Sequence, residues 1–323
     1  MPPGATRRDL FRLCLGGTLV RPGWTAGAKS RVVIARDPMV RPSGGALDSA
    51  RLAGLLDRAV QAVYECDSPL EAWKKIARPN EVVGLKVNCL AGRGGASTNP
   101  VLVDAVCERL RQAGIPDKNI VVWDRLHADL EHAGFRVASR KDRIRFLGND
   151  DSGYETELAI FGSVGSLISK TVTQVCDAVI SLPVLKDHGI VGVTMALKNF
   201  FGSIHNPNKY HTNAGDPYVA DVNMLPPIRE KVRLHICDAI APQYEGGPSY
   251  MPQWAWPFNS LIASRDPVAL DYTGWRIIEE QRAAKGLPTL QAAKREPVYI
   301  ARAADAQHRL GTNDPALIEK VEA

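Results

Sequence analysis

Apolar positions along the chain follow two rhythms that take turns. Short β-branched runs read as strands at Arg31–Ala35, Glu81–Val87, Asn119–Trp123, Arg143–Leu147, Ala178–Leu182, Val232–Cys237 and Ser260–Ala263. Segments with helical spacing lie between them. In 47–64, Leu52, Leu55, Leu56, Ala59, Val60 and Val63 recur on one helical face. Asn99-Pro100 opens a second helix over Val101–Ala113, and Gly114 closes it. Asp266-Pro267 opens a third, to about Arg282. Strands alternating with helices predict an α/β fold, a largely parallel sheet flanked by helices. The stretches 200–230 and 242–259 are rich in Asn, Pro and Gly and predict long loops over the C-terminal ends of the strands.

Open α/β sheets bind ligands beyond those ends, so the residues standing there carry the functional reading. They are Lys86 and Asn88, Asp124 and Arg125, then Lys186, Asp187 and His188, then Asp238. Lys86 alternates with Leu85 and Val87, and a lysine inside a strand needs a partner or a ligand. The densest segment runs from Leu182 to His205. A helix over Ile190–Phe201 would put Thr194 and Lys198 on one face, with Lys186 and His188 at its entrance. His205, Lys209 and His211 follow. Clustered lysines depress one another's pKa and imidazole titrates near neutrality, so Lys186, His188 and Lys198 are the candidates for proton transfer. Lys86, Asn88, Thr194, Asn199 and His211 are the candidates for binding and orienting a small anion. The glycine-rich loop at 92–95, between a strand and a helix, is either an anion cradle or a flexible turn capped by Asn99. Asp238, Glu245, Asp266 and Asp271 offer oxygen ligands; Asp238 and Glu245 are the metal candidates, and Asp266 before Pro267 is also a helix N-cap.

Composition narrows the picture. The 323 residues are 45% hydrophobic and 23% charged, as in soluble globular chains. No stretch reaches the roughly 18 apolar residues of a membrane span. The net charge is +5, but Arg7, Arg8, Arg12 and Arg21 against Asp9 account for three of those charges and leave about +2 on the rest. That gives no electrostatic footprint for nucleic acid. Thr6-Arg7-Arg8-Asp9-Leu10-Phe11, a short apolar stretch and Ala26-Gly27-Ala28 have the form of a twin-arginine export signal over 1–28. This predicts passage through the twin-arginine machinery to the periplasm and a single α/β domain over 29–323. None of the six cysteines forms a C-x-x-C pair, so they read as small buried hydrophobes, with a disulfide as the alternative in an exported protein.

The chain resembles the family known as domain of unknown function 362. The matching pieces are Gly84-Leu-Lys86-Val-Asn88, Asn99-Pro100, Leu182-Pro-Val-Leu-Lys186-Asp-His188, Thr194-Met-Ala-Leu-Lys198-Asn199-Phe-Phe-Gly202 and Lys209-Tyr-His211. Asp238-Ala-Ile, Glu245-Gly-Gly-Pro248 and Asp266-Pro-Val-Ala-Leu-Asp271 complete the set, which spans about 80–275. Many relatives add a ferredoxin-like module with paired cysteines, and this chain has no iron–sulfur cysteine motif. The family brings no settled reaction. The expectation is an exported α/β protein that binds a small anionic molecule and performs acid–base or metal-assisted chemistry. The alternative is a non-catalytic exported accessory protein for a cofactor or redox partner.

Overall fold

In the computed structural model, which describes residues 29–42 and 45–323, a ten-stranded sheet gathers strands from both ends of that range. The strands are β1 (Ser30–Arg36), β2 (Val83–Lys86), β3 (Ile120–Asp124), β4 (Arg145–Gly148), β5 (Ala159–Phe161), β6 (Val164–Ser166), β7 (Ala178–Ser181), β8 (Val184–His188), β9 (Gly192–Thr194), β10 (Val232–Gln243), β11 (Ser260–Ser264) and β12 (Ile318–Glu322). The order across the main sheet is β12-β1-β11-β10-β7-β2-β3-β4. β10, β7, β2, β3 and β4 form a parallel block; β11 runs antiparallel to both its neighbours. The separate pair β5–β6 is antiparallel.

Strand alternation splits the core in two. Val33, Ala35, Val83, Leu85, Ile120, Val122 and Ile180 face helices α1 (Ser49–Tyr64) and α2 (Pro100–Gln112). Val32, Ile34, Val121, Trp123 and Val179 face the other way, against Val164, Ile168, Val172 and Cys176 and residues from 185 onward. A sheet covered on both faces is the expected home of parallel strands. In α1 the six apolar residues singled out by spacing are the six that are buried, each large one contributing about 1.5–3 kcal/mol. Asp48 caps α1 by accepting from the Ala50 and Arg51 N–H groups at 3.0 Å.

Two expectations are corrected. The segment 190–201 is not a helix. β8 and β9 form an antiparallel hairpin pairing Lys186 with Thr194, followed by a single helical turn, α3 (Ala196–Asn199). Gly192 sits at φ 86 in the turn, and a Cβ there would lie 2.4 Å from Arg295 O. The β-branched Val191, Val193 and Thr194 then favour the pleated strand over the helix. Residues 200–230 are likewise not plain loop, but short helical turns that include Phe200–Ser203, Pro207–Tyr210 and Tyr218–Met224. The five cysteines among the described residues are free thiols, four of them buried. The twin-arginine motif lies outside the described residues. Within them, no helix is long and apolar enough to cross a membrane.

Candidate functional site

The parallel register brings Lys86, Trp123 and Ser181 level at the C-terminal end of the sheet. Lys86 is 1% exposed, so its ammonium must be compensated. Nζ donates to Asp124 Oδ1 at 2.6 Å, to Val87 O at 2.6 Å and to Asn199 Oδ1 at 3.4 Å. Asp124 Oδ2 accepts from the Cys89 N–H at 2.7 Å. Gly202 lets the backbone pass over this pair: a Cβ there would lie 3.0 Å from Asp124 Oδ1 and 3.1 Å from Lys86 Nζ.

Asparagines continue the network. Asn199 Nδ2 donates to Lys86 O and Ser181 Oγ, both at 3.1 Å. Asn88 Nδ2 donates to Asn199 Oδ1 at 3.3 Å, and Asn88 Oδ1 accepts from Lys186 Nζ at 3.0 Å. Lys186 also donates to Ala96 O at 2.7 Å, so the glycine-rich loop serves as a clamp on that lysine. Behind the hairpin, Asp187 Oδ2 accepts from Arg295 at 2.7 Å and Asp187 Oδ1 from the Gly247 N–H at 2.8 Å.

The histidine roles follow from their partners. His188 Nδ1 accepts from the Ile190 and Val191 N–H groups at 3.2 and 3.4 Å, which leaves the ring proton on Nε2. His211 Nδ1 lies 3.2 Å from Pro207 O, a pure acceptor, so Nδ1 carries the proton and Nε2 accepts from Lys198 Nζ at 3.0 Å. The two imidazoles stack with centroids 5.5 Å apart, and Lys198 Nζ lies 4.1 Å from the Phe201 ring centroid. Burial pushes Lys186 down to about 8 and, with Lys186 nearby, Lys198 down to about 7. Burial, then Lys198 and His211, push His188 down to about 2, and burial and Lys198 also lower His211. Both rings are therefore neutral at physiological pH.

These groups line one cavity of about 380 Å³, within the size range of small-molecule sites. All eight candidates for proton transfer and binding, Lys86, Asn88, Lys186, His188, Thr194, Lys198, Asn199 and His211, are on its wall. Asp124, Arg125, Asp129, Leu90, Ile190 and Phe201 join them. Asp124 and Arg125 are already singled out by their place at a strand end; the apolar members carry no such signal.

Other expected members are elsewhere. His205 meets Tyr154 edge-on, and Lys209 donates to Gly165 O. The proposed carboxylate cluster is dispersed. Asp238 accepts from the Asn99 and Ile240 N–H groups at 3.0 and 3.1 Å, and burial raises it to about 6. Glu245 pairs with Arg282 and Arg295. Asp266 caps α4 (Pro267–Ala284), and Asp271 accepts from the Ala196 and Leu197 N–H groups at 2.8 and 3.2 Å. Among the described residues no three His, Cys, Asp or Glu side chains gather as a metal site. Asp238 and Glu245 are thus engaged by backbone and guanidinium donors.

Fold and site together define an α/β protein with a lysine- and histidine-walled cavity at its strand ends. The chain belongs to the family described as domain of unknown function (DUF362), whose model matches residues 83–276. It is similar to a thylakoid-associated protein of Synechocystis sp., 27% identical over 252 residues and covering 75% of each chain. A Thermotoga maritima protein of known crystal structure aligns with TM-score 0.43 and 9% identity over 75% of this chain. The alignment spans 60% of that structure's chain.

Proposed function

We propose that the cavity binds a small anionic molecule and exchanges protons with it. One observation carries this reading: Lys186 and Lys198, 1% and 9% exposed, share the cavity, and neither forms an ion pair with a carboxylate of the described residues. An unpaired buried ammonium costs several kcal/mol, so such a group gives up its proton or takes up an anion. The His188 Nε2–H and the Thr194 hydroxyl supply neutral donors on the same wall. Lys198 beside His211 is the proton-exchanging pair.

Calorimetric titration with small carboxylates and inorganic phosphate tests the reading. Lys186→Met is expected to weaken binding by roughly ten- to hundredfold, the 1.5–3 kcal/mol of a charge-assisted hydrogen bond. Affinity is expected to be highest below pH about 7 and to fade through about 8, as Lys198 and then Lys186 deprotonate. Binding that persists unchanged well above that window overturns it.

We also propose export through the twin-arginine route, supported by Arg7-Arg8 and the residues that follow. Fractionation of cells expressing Arg7→Lys with Arg8→Lys is expected to show the protein retained inside. Undiminished export of that variant rejects the route.

A further inference from the structure

We infer that Lys198 is an imine-forming nucleophile and that the anion it meets is a small 2-oxo acid. The inference rests on the anion-binding reading above and specifies its ligand. The two cavity lysines that lack a carboxylate partner among the described residues are built differently. Lys186 Nζ is fixed by two oxygen acceptors, Asn88 Oδ1 and Ala96 O, which suits an ammonium that stays charged and holds a carboxylate. Among the described residues Lys198 Nζ has no oxygen acceptor; its polar partner is the lone pair of His211 Nε2, and its other neighbour is the face of Phe201. That is the setting of an amine that becomes a free base, with a proton acceptor already in place.

A ligand that uses both lysines needs a carboxylate for one and an electrophilic carbon for the other. A carbonyl next to the carboxylate supplies both. Thr194 Oγ1, buried on the same wall without a hydrogen-bond partner among the described residues, and the His188 Nε2–H can complete the carboxylate's donors. The neutral Lys198 amine attacks the carbonyl carbon, forming the C–N bond while the C=O π electrons move to oxygen. His211 Nε2 accepts a proton from nitrogen and returns it to that oxygen, giving the carbinolamine. A second proton passes the same way, the C–O bond breaks, and oxygen departs as water. Amine and ketone have become imine and water, with no change in oxidation state. The imine then acts as an electron sink for proton exchange at the carbon beyond the former carbonyl.

The test uses the full chain with pyruvate as probe and lactate, its counterpart without a carbonyl, as control. Borohydride is added to trap any imine, and peptides are mapped by mass. The expected result is an adduct of one pyruvic acid less one oxygen on Lys198, suppressed by prior addition of lactate. Lys198→Arg, which keeps a cation in place, is expected to bind lactate and to give no adduct there. If calorimetry shows both acids binding the wild type but no adduct appears on Lys198, the imine is rejected and anion binding stands. If adducts spread over exposed lysines and lactate does not suppress them, the imine is likewise rejected. If neither acid binds and no adduct forms, both the imine and the reading of this cavity as a small-carboxylate site fail together.

Discussion

Lys86 ends a strand in the middle of the sheet, and its charge is sustainable there because Asp124 stands 2.6 Å away on the neighbouring strand. Asp124→Ala is expected to cost about 3–5 kcal/mol, read as a lower urea midpoint, because it leaves the ammonium buried and unpaired. Lys86→Met added to that variant is expected to restore most of the loss, since an apolar side chain leaves no orphaned charge. A double variant no more stable than Asp124→Ala alone removes the ion pair from the argument. The need of Lys86 for a partner was legible in strand alternation, because a lysine between Leu85 and Val87 must enter the opposite layer. The partner's identity was not legible. It depends on the register of β2 against β3, which neither strand's own residues specify. The histidine tautomers were beyond sequence for a similar reason, since each is set by a backbone group that the fold delivers.

At the scale of elements, the segment from Val184 to Asn199 is the informative case. Its polar residues were legible as a cluster and its backbone was not. Apolar spacing over 190–201 is compatible with a helix, but the turn at Gly192 and the pairing of Lys186 with Thr194 fold it back as a hairpin. Both arrangements bring Thr194 and Lys198 to one place, so the two share a cavity wall even though the element is a hairpin. The helical turn carrying Lys198 is too short to hold itself. Asp271, from the first turns of α4, accepts from its first two N–H groups. Asp271→Leu is expected to cost about 1–3 kcal/mol by leaving buried donors without an acceptor, and to displace Lys198. Asp271→Asn, which keeps one acceptor oxygen, is expected to retain more of both stability and anion binding. Equal stability and binding in Asp271→Leu and the wild type would show that the turn does not depend on this cap. The N-cap role of Asp266 was legible from Asp-Pro, whereas the cross-element cap of Asp271 was not, because nothing local points from 271 to 196.

For the whole molecule, the alternating strands and helices announced the doubly covered sheet; apolar spacing placed α1, Asn99-Pro100 with Gly114 placed α2, and Asp266-Pro267 placed the start of α4. β12 escaped because Ile318–Glu322 holds two apolar residues three apart among three charged ones, without strand alternation, and reads as exposed chain until β1 is beside it. The cavity wall joins Lys86 at one end of the sequence range to Pro248 at the other, with the hairpin and the 198–211 segment between. Closing contacts over such separations is slow and comes only after the intervening chain is ordered. Ligand capture is therefore expected to be a late event in refolding. After dilution from urea, retention of lactate by the refolding chain is expected to appear together with the last change in tryptophan fluorescence. Retention in an earlier phase would mean that the 182–211 segment assembles its walls by itself. A pocket stitched from distant segments thus doubles as a check on assembly, because a chain that has not completed its topology lacks the cavity in which the anion is proposed to bind.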